Sequence, residues 1–279
     1  MRLFDVSYKC AATGETFDLS CEKAFVGLPN GFRKNSWDYS VEFGDISHPQ
    51  RTASEVDFVA ALLDLPTADR LRRSCDADVS SRTPGVLSCG PWHQRAYISS
   101  ASVSASTAGA ANVKLRAVLL DGTWKMDRLF EFRPGGSDSI VGSTHGYPYG
   151  YPYGYPCDKM RGSGIENESI VPCEFRMVIY GPVEYPSVKI GDNQYFVLTD
   201  VPARGRLEID SERGTVTQFS PTGKETDVLD KAFIGDGEGS GQYIFEKIRP
   251  GKSLVSIRYN ANVDITVFLE DGAVPWTSS

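Results

Sequence analysis

The chain has 279 residues, of which 41% are hydrophobic and 23% charged, a composition typical of a folded protein with one large or two modest domains. Its formal net charge of -7 argues against a specific nucleic-acid partner, which needs clustered lysine and arginine, and against docking on an anionic membrane. No run of about 20 apolar residues predicts a membrane-spanning helix.

The N-terminal residues, Met-Arg-Leu-Phe-Asp-Val, lack the hydrophobic region and the cleavage site of a signal peptide. We therefore expect the chain to be made in the cytoplasm, where thiols stay reduced. The six cysteines are irregularly spaced in a long chain, which disfavours a disulfide framework. Six free thiols are predicted, at positions 10, 21, 75, 89, 157 and 173.

Residues 1–46 have the pattern of β-structure. Phe4, Val6 and Tyr8 recur at every second position, and Ala-Thr-Gly-Glu at 12–15 predicts a turn in which glycine adopts a positive φ. A second strand is predicted where aromatic and β-branched residues again alternate: Trp37, Tyr39, Val41 and Phe43.

One helix is predicted, over residues 52–65. Thr52 and Glu55 match a capping box, with Thr52 as the N-cap. The apolar residues that follow fall on one helical face: Val56, Val59, Ala60 and Leu63. Pro66 should end this helix, which we expect to cover one face of a sheet.

Residues 83–133 are predicted to form strands again. Apolar residues at every second position from 113 to 119 mark one strand, and alternation resumes from Trp124 to Phe132. Between them, Asp121-Gly122 is a signal for a two-residue hairpin. Pro-Gly-Gly at 134–136 marks a break, so the first domain is expected to span 1–133.

A connector rich in tyrosine, proline and glycine is predicted over 134–172. Its centre, residues 145–156, cannot be a helix or a central strand because proline recurs at every fourth position. We interpret it as a segment that packs against a domain, because its five tyrosine rings would otherwise remain exposed to water. The alternative is a flexible linker. The candidate packing residues are Tyr147, Tyr149, Tyr151, Tyr153 and Tyr155.

The remainder, 173–279, has the pattern of an all-β domain. Residues 206–210 alternate, a turn at 211–214 follows, and a further strand is expected at 215–219. Late strands are predicted at 254–259 and 263–269. Many short strands with regular turns indicate an antiparallel β-sandwich.

No pattern predicts catalysis, a cofactor or a metal site. The chain has three histidines, His48, His93 and His145, and no Gly-x-Ser-x-Gly elbow to hold a serine nucleophile, so each histidine is interpreted as a surface or capping residue. Cys75, Cys89 and His93 lack the paired spacing of a zinc site. Paired carboxylates of the glycosidase kind cannot be recognised from sequence, because their separation in space is what is diagnostic.

The sequence Asp-Gly-Glu-Gly-Ser-Gly at 236–241 is similar to the start of an EF-hand loop. The twelfth position of such a loop should be glutamate, but here it is Lys247, and Glu246 lies one residue off. We interpret the segment as an acidic, glycine-rich hairpin, with adventitious calcium as the weaker alternative.

Several motifs occur in a fixed order along the second half of the chain. After the connector come Ile-Tyr-Gly-Pro within 175–190, Gly-Arg-Leu-Glu-Ile-Asp at 205–210, Gly-Thr-Val at 214–216, Ile-Arg-Pro-Gly at 248–251 and Pro-Trp at 275–276. In this order they resemble the distal tail proteins (Dit) of long-tailed bacteriophages. The segment 83–87 before Trp92, and Trp124 after a turn, are similar to the N-terminal domain of that family.

The resemblance implies a mainly β protein, with a ring-forming N-terminal β-domain that has one covering helix and a C-terminal galectin-like antiparallel β-sandwich. It implies no enzyme activity. It also implies a virion location at the tail tip, after assembly in the bacterial cytoplasm, as a homohexameric hub. The implied partners are the tail tube protein, a tail-tip or tail-associated lysin protein and the receptor-binding proteins.

Two other function classes stay open. A carbohydrate-binding sandwich could contact a cell-wall glycan through an exposed aromatic platform, for which Tyr195, Tyr243 and Trp276 are candidates. A wall-degrading hydrolase is the third class. For the ring, the candidate interface consists of aromatic residues of the first domain, most of which must also serve its core: Phe4, Phe17, Phe25, Phe32, Trp37 and Phe43.

Overall fold

The computed structural model describes residues 5–27, 30–35, 37–107, 109–133, 163–258 and 261–275, and these are mainly β with one α-helix. The chain divides into two compact units, with Met1–Met126 and Glu270–Ser279 in unit 1 and Asp127–Leu269 in unit 2. This division differs from the domains expected from the sequence, 1–133 and 173–279. Unit 1 ends at Met126, and the chain returns to it at Glu270. No helix in the described part of the chain is both long and apolar enough to cross a membrane.

Unit 1 contains one large antiparallel sheet and the helix. Its elements are β1 (Val6–Lys9), β2 (Thr16–Asp18), β3 (Ala24–Val26), β4 (Asp38–Glu42), β5 (Asp45–Gln50), β6 (Ser54–Leu62), α1 (Leu65–Ser81), β7 (Gly85–Cys89), β8 (Trp92–Ser106), β9 (Ala111–Leu119) and the start of β10 (Trp124–Phe132). The sheet has the strand order β2-β1-β7-β8-β9-β6-β3. Strands β4 and β5 form a separate two-stranded hairpin.

The predicted helix over 52–65 is wrong, because this segment is strand β6. The residues that it buries alternate strictly, as a strand requires: Val56, Phe58, Ala60 and Leu62. Pairing with β9 in continuous register, from Ser54 opposite Leu119 to Leu62 opposite Ala111, fixes the strand over its whole length. The helix begins only at Leu65, and Pro66 lies in its first turn, where its missing N–H costs nothing.

The hairpin predicted at Asp121-Gly122 is also absent. The chain does turn there, with Gly122 at a φ of 68°, but β9 and β10 do not pair with each other. Both pair with β8 instead, β9 along residues 96–106 and β10 where Lys125 lies opposite His93. Where the pairing of β8 with β9 ends, the Asp121 carboxylate binds Arg95 of β8. It accepts hydrogen bonds from the backbone N–H of Arg95 at 2.9 Å and from its side-chain Nε–H at 2.8 Å.

The core of unit 1 is aromatic at its centre. The ring of Phe32 packs edge-on against Phe58, with centroids 5.5 Å apart, and is tilted against the ring of Trp124, with centroids 5.2 Å apart. Val274, from the returning C-terminal segment, is buried in the same cluster, and its backbone N–H donates to the carbonyl of Phe32 at 2.9 Å. The last described residues of the chain are therefore part of the core of unit 1.

Unit 2 is a two-sheet antiparallel sandwich, the class that the sequence predicts for this half of the chain. Its strands are β11 (Ser163–Asn167), β12 (Phe175–Tyr180), β13 (Val183–Glu184), β14 (Ser187–Ile190), β15 (Asn193–Phe196), β16 (Asp200–Val201), β17 (Arg206–Asp210), β18 (Thr215–Phe219), β19 (Glu225–Asp227), β20 (Gly251–Ile257) and β21 (Asn262–Asp271), the last of which ends in unit 1. One sheet has the order β19-β18-β17-β12-β21 and the other β11-β20-β14-β15.

The two sheets of unit 2 meet through alternating buried residues. Phe175, Met177 and Ile179 of β12 are all inaccessible to solvent, as every second residue of a half-buried strand should be. Phe175 contacts Tyr195 of the second sheet edge-on, with ring centroids 5.1 Å apart. This interleaving of two inner faces is the packing of a β-sandwich.

Candidate functional site

Several sequence candidates fall outside the described residues, and the structure gives no account of them. They are the connector residues Tyr147, Tyr149, Tyr151, Tyr153 and Tyr155, together with Phe4, His145, Cys157 and Trp276.

The described histidines and cysteines do not gather with acidic residues into a metal-binding group. Within the described ranges no group of three or more histidine, cysteine, aspartate or glutamate side chains could hold a metal ion. His48 is exposed on β5, and His93 is half-buried on β8. Burial raises the pKa of the Cys75 thiol to about 12 and that of Cys89 to about 11, so both stay protonated. The five described cysteines are free thiols, as the sequence predicts.

One buried carboxylate, that of Asp78 on α1, is fully occupied by structural hydrogen bonds. Its two oxygens accept the hydroxyl of Tyr8 at 2.6 Å, the thiol of Cys10 at 3.0 Å and the backbone N–H of Ala12 at 2.8 Å. Burial and this carboxylate together raise the pKa of Tyr8 far above its usual range. The cluster joins the helix to β1 and to the turn after it, and it leaves no activated nucleophile.

The glycine-rich acidic segment is a loop rather than the predicted hairpin, since no strand lies between β19 and β20. Gly235, Gly237, Gly239 and Gly241 all have positive φ values, which glycine adopts without steric cost. Glu246, the residue that lies one position off the EF-hand pattern, closes this loop by accepting the backbone N–H of Gly239 at 2.7 Å.

The two described aromatic candidates for a sugar platform, Tyr195 and Tyr243, are not exposed platforms. Tyr195 is buried, and its hydroxyl donates to the carbonyl of Glu246 at 2.6 Å; Tyr243 is half-buried and lies edge-on to Phe245. Unit 2 also has an open depression of about 220 Å³. Its lining contains the edge-on pair Phe196 and Phe233 with two amides and a guanidinium: Gln194, Gln242 and Arg258.

The β4–β5 hairpin carries a concentration of exposed apolar side chains: Tyr39, Val41, Phe43 and Ile46. All of its strand residues except Ser47, which is half-buried, are exposed, and among the described residues its strands pair only with each other. Val41 lies directly opposite Ile46, while Ser40 lies opposite Ser47 and Glu42 opposite Asp45. Because side chains alternate between the faces of a strand, this register makes the hairpin amphipathic, with one apolar and one polar face.

Side-chain contacts hold the two ends of the hairpin together at its base, whereas its tip is exposed. At the base, the Arg51 guanidinium lies 4.4 Å from the centre of the Trp37 ring, and the Thr52 hydroxyl donates to the Asp38 carboxylate. At the tip, Phe43 is fully exposed with a φ of 52°, and Gly44 follows it with a φ of 83°. A positive φ is uncommon for a bulky residue and here directs an aromatic ring into solvent.

A second exposed apolar surface of unit 1, the Phe25 patch, consists of Phe25, Val59 and Leu63. Phe25 on the edge strand β3 lies opposite Ala61 on β6, so Val59 and Leu63, two residues to either side of Ala61, share its face. Phe25 is 70% exposed, Leu63 58% and Val59 46%.

Charged residues border the Phe25 patch on both sides. Lys23 lies beside Leu63, whose backbone N–H donates to the carbonyl of Lys23, and Lys114 lies opposite Val59. Beyond Lys114, the Arg116 guanidinium binds the Asp57 carboxylate at 2.8 Å, with the Lys114 ammonium 3.3 Å away. The pKa of the Asp57 carboxyl is lowered to about 2, mainly by its hydrogen bond with Arg116 and to a smaller extent by the one with Lys114.

No model of a known protein family matches the chain, and no curated protein matches it. Solved structures do. A chain of the phage P2 baseplate in its activated conformation with Ca has a TM-score of 0.60 at 13% identity, with 97% of this chain and 99% of that chain covered. The fold is that of phage baseplate proteins.

The Dit protein of phage SPP1, described as a paradigm of the hub adsorption apparatus in phages that infect Gram-positive bacteria, has a TM-score of 0.54 at 10% identity, with 96% and 99% of the two chains covered. The phage p2 baseplate with Sr gives 0.59 at 13% identity. The resemblance to Dit proteins that the ordered motifs indicate is thus confirmed in the fold.

Within this Dit-like fold, the sequence-based interface candidates separate into two groups. Phe17 and Phe32 are buried in the core of unit 1, whereas Phe25, Trp37 and Phe43 are exposed. The sequence predicts strand β4 but neither its partner β5 nor the isolation of the pair. A signal was present in the acidic and serine residues that alternate with the apolar ones of β4, because a strand polar on one side is not buried on both.

Proposed function

We propose that this chain is the hub of a phage tail tip, a ring of copies between the tail tube and the tip proteins that contact the host. The observation that carries the proposal is the extent of the likeness to the phage P2 baseplate chain and the SPP1 Dit protein. At least 96% of this chain and 99% of each of the others are covered. Both units therefore have counterparts there in the same order along the chain.

In this proposal, unit 1 builds the ring and unit 2 faces the neighbouring proteins. The exposed apolar surfaces of unit 1 support this division, because large exposed patches mark protein interfaces. The described thiols with raised pKa values and the fully occupied Asp78 carboxylate fit a structural role better than a catalytic one. The partners are the tube protein above and the tail-tip, lysin and receptor-binding proteins below.

The test is imaging of assembled tails from a phage that carries the gene, with wild-type and deleted alleles compared. We expect six copies of the chain in a closed ring at each tip, and tails without an organised tip when the gene is deleted. A copy number other than six would contradict the ring. So would a monomer that hydrolyses a wall polymer.

The carbohydrate alternative has one observation in its favour, the depression beside Phe233 in unit 2. Binding of wall glycans by the purified chain, lost in Phe233→Ala, together with the absence of the chain from tail tips, would replace the hub by a carbohydrate-binding module.

A further inference from the structure

We propose that the β4–β5 hairpin docks on the Phe25 patch of a neighbouring copy of the same chain. The inference rests on the proposed ring and names the two surfaces that would join its subunits. Each copy would offer its hairpin to one neighbour and its Phe25 patch to the other.

The hairpin has the properties of a segment completed by a partner. A two-stranded sheet with no further strand or covering layer is marginal in water, and this one also places Glu42 directly opposite Asp45, a like-charge pair. Its apolar face nevertheless presents Val41 and Ile46 to solvent, with Tyr39 two residues before Val41 also exposed. Burial of that face against another surface would remove this apolar area from water.

The tip residue Phe43 is the strongest single anchor. Its ring is fully exposed, and its backbone is held in the left-handed region that bulky residues avoid. Aromatic rings that fill a pocket on a partner dominate many interfaces, whereas a ring left in water at the end of a hairpin gains nothing.

The Phe25 patch has matching chemistry. It is apolar, it lies at the edge of the large sheet on β3 and β6, and it is bordered by polar groups. An apolar centre within a polar rim is the usual anatomy of a protein interface.

The two surfaces do not cover each other within one chain, since Phe25, Val41 and Phe43 are all exposed in the same structure. A contact between two different patches of identical subunits is heterologous, and such contacts generate rings when the rotation closes. A hairpin that bound a hairpin would instead give a two-fold dimer.

The charges favour the same pairing. The hairpin carries three acids, Asp38, Glu42 and Asp45, and residues 38–50 contain no lysine or arginine. The Phe25 patch has the exposed residue Lys23 at one border, while Lys114 at the other is already paired with the Asp57 carboxylate at 3.3 Å. Because Glu42 and Asp45 lie on the polar face, this attraction acts at long range: it would steer the acidic hairpin of one copy toward the Lys23 side of the next, and the apolar face would then make the contact.

Cysteine crosslinking in assembled phage tails tests the contact. The double variant Val41→Cys with Phe25→Cys places one thiol on each surface, and a short bismaleimide joins thiols of adjacent copies. Because the contact is heterologous, the product should be a ladder of covalent multimers up to the full ring. The matched control is Ser40→Cys with Phe25→Cys, whose hairpin thiol is on the polar face.

We expect about tenfold more multimer from the double variant than from the control, because thiols held together react at a raised effective concentration. The single variants and the wild-type chain give the background from native cysteines. All three positions are exposed, so tryptophan fluorescence of each purified variant should match the wild type and exclude misfolding.

The outcomes separate the two proposals. Tips that contain the ring but give no ladder above the Ser40→Cys control overturn the hairpin contact and leave the hub intact. Covalent dimers that do not extend further also overturn it, since they indicate a two-fold contact. Tails in which imaging finds no ring contradict the proposed function itself.

Discussion

Asp78 illustrates how a single buried acid can be a structural residue. Its carboxylate is inaccessible to solvent and accepts three hydrogen bonds, from Tyr8, Cys10 and Ala12. A buried carboxylate is tolerated when its oxygens are occupied in this way, and its removal deprives the buried Tyr8 hydroxyl of this acceptor, while the Cys10 thiol keeps the carbonyl of Ser74 at 3.3 Å. The sequence offers no sign of this role, because all three partners lie more than 60 positions away.

We expect Asp78→Ala to lower the free energy of unfolding of unit 1 by about 3 kcal/mol, because two buried donors, the Tyr8 hydroxyl and the Cys10 thiol, and the part-buried N–H of Ala12 each lose an acceptor. Tyr8→Phe, which removes one donor, should cost about 1 to 2 kcal/mol. Urea unfolding followed by tryptophan fluorescence measures both.

The matched control for this cluster is Asp76→Ala on the same helix. Asp76 is exposed, and its ion pair with Arg72 spans 3.4 Å at the surface, so the change should cost less than about 1 kcal/mol. Equal losses for Asp76→Ala and Asp78→Ala would show that the helix, rather than the buried cluster, accounts for the effect.

At the scale of elements, strand β6 shows why local patterns mislead. The segment Phe-Val-Ala-Ala-Leu-Leu at 58–63 is apolar throughout, so the apolar pattern that begins at Val56 fits the period of a helix as well as that of a strand. Pairing with β9 decides the outcome, and its register partners lie more than 45 residues away. Tertiary contacts of this kind routinely override a local capping signal.

Two alanine substitutions in β6 separate the strand from the helix. Phe58 is buried, so Phe58→Ala should lower the free energy of unfolding by about 3 to 5 kcal/mol, whereas the half-exposed Val59→Ala should cost less than about 1 kcal/mol. The predicted helix would reverse this order, because it buries Val59 and exposes Phe58. Chemical denaturation of the two purified variants makes the comparison.

What the sequence predicts well are elements whose pattern is local. Strands β17 and β18 alternate cleanly and are confirmed, as are the β-sandwich class of unit 2 and the turn after β1. The pairing of β10 with β8 and the isolation of the β4–β5 hairpin depend on which distant strand takes each edge. The aromatic interface candidates could therefore be named from the sequence, but which of them are buried in the core and which are exposed could not be predicted.

For the whole molecule, the distribution of tryptophan provides a probe of one unit. The chain has four tryptophans, at 37, 92, 124 and 276, and all fall within the segments of unit 1. Tryptophan fluorescence therefore follows the unfolding of unit 1, while far-ultraviolet circular dichroism follows both units.

We expect Val274→Ala to lower the stability seen by tryptophan fluorescence by about 2 kcal/mol, because Val274 is buried in the core of unit 1. Val263→Ala is the control, since Val263 is equally buried but belongs to unit 2. It should shift the circular dichroism transition and leave the tryptophan transition in place. A tryptophan transition moved equally by both variants would mean that the units unfold as one.

The return of the chain to unit 1 at Glu270 has a genetic consequence. Unit 2 is an insert within the coding sequence of unit 1, so recombination between related genes can exchange the segment for 127–269 as a cassette. Such an exchange would leave the β4–β5 hairpin, the Phe25 patch and Val274 with their original codons, since all three lie outside the cassette. If the chain is the tail-tip hub proposed above, a lineage that exchanged the cassette would change the part proposed to face the neighbouring proteins and conserve the surfaces proposed to hold the ring together.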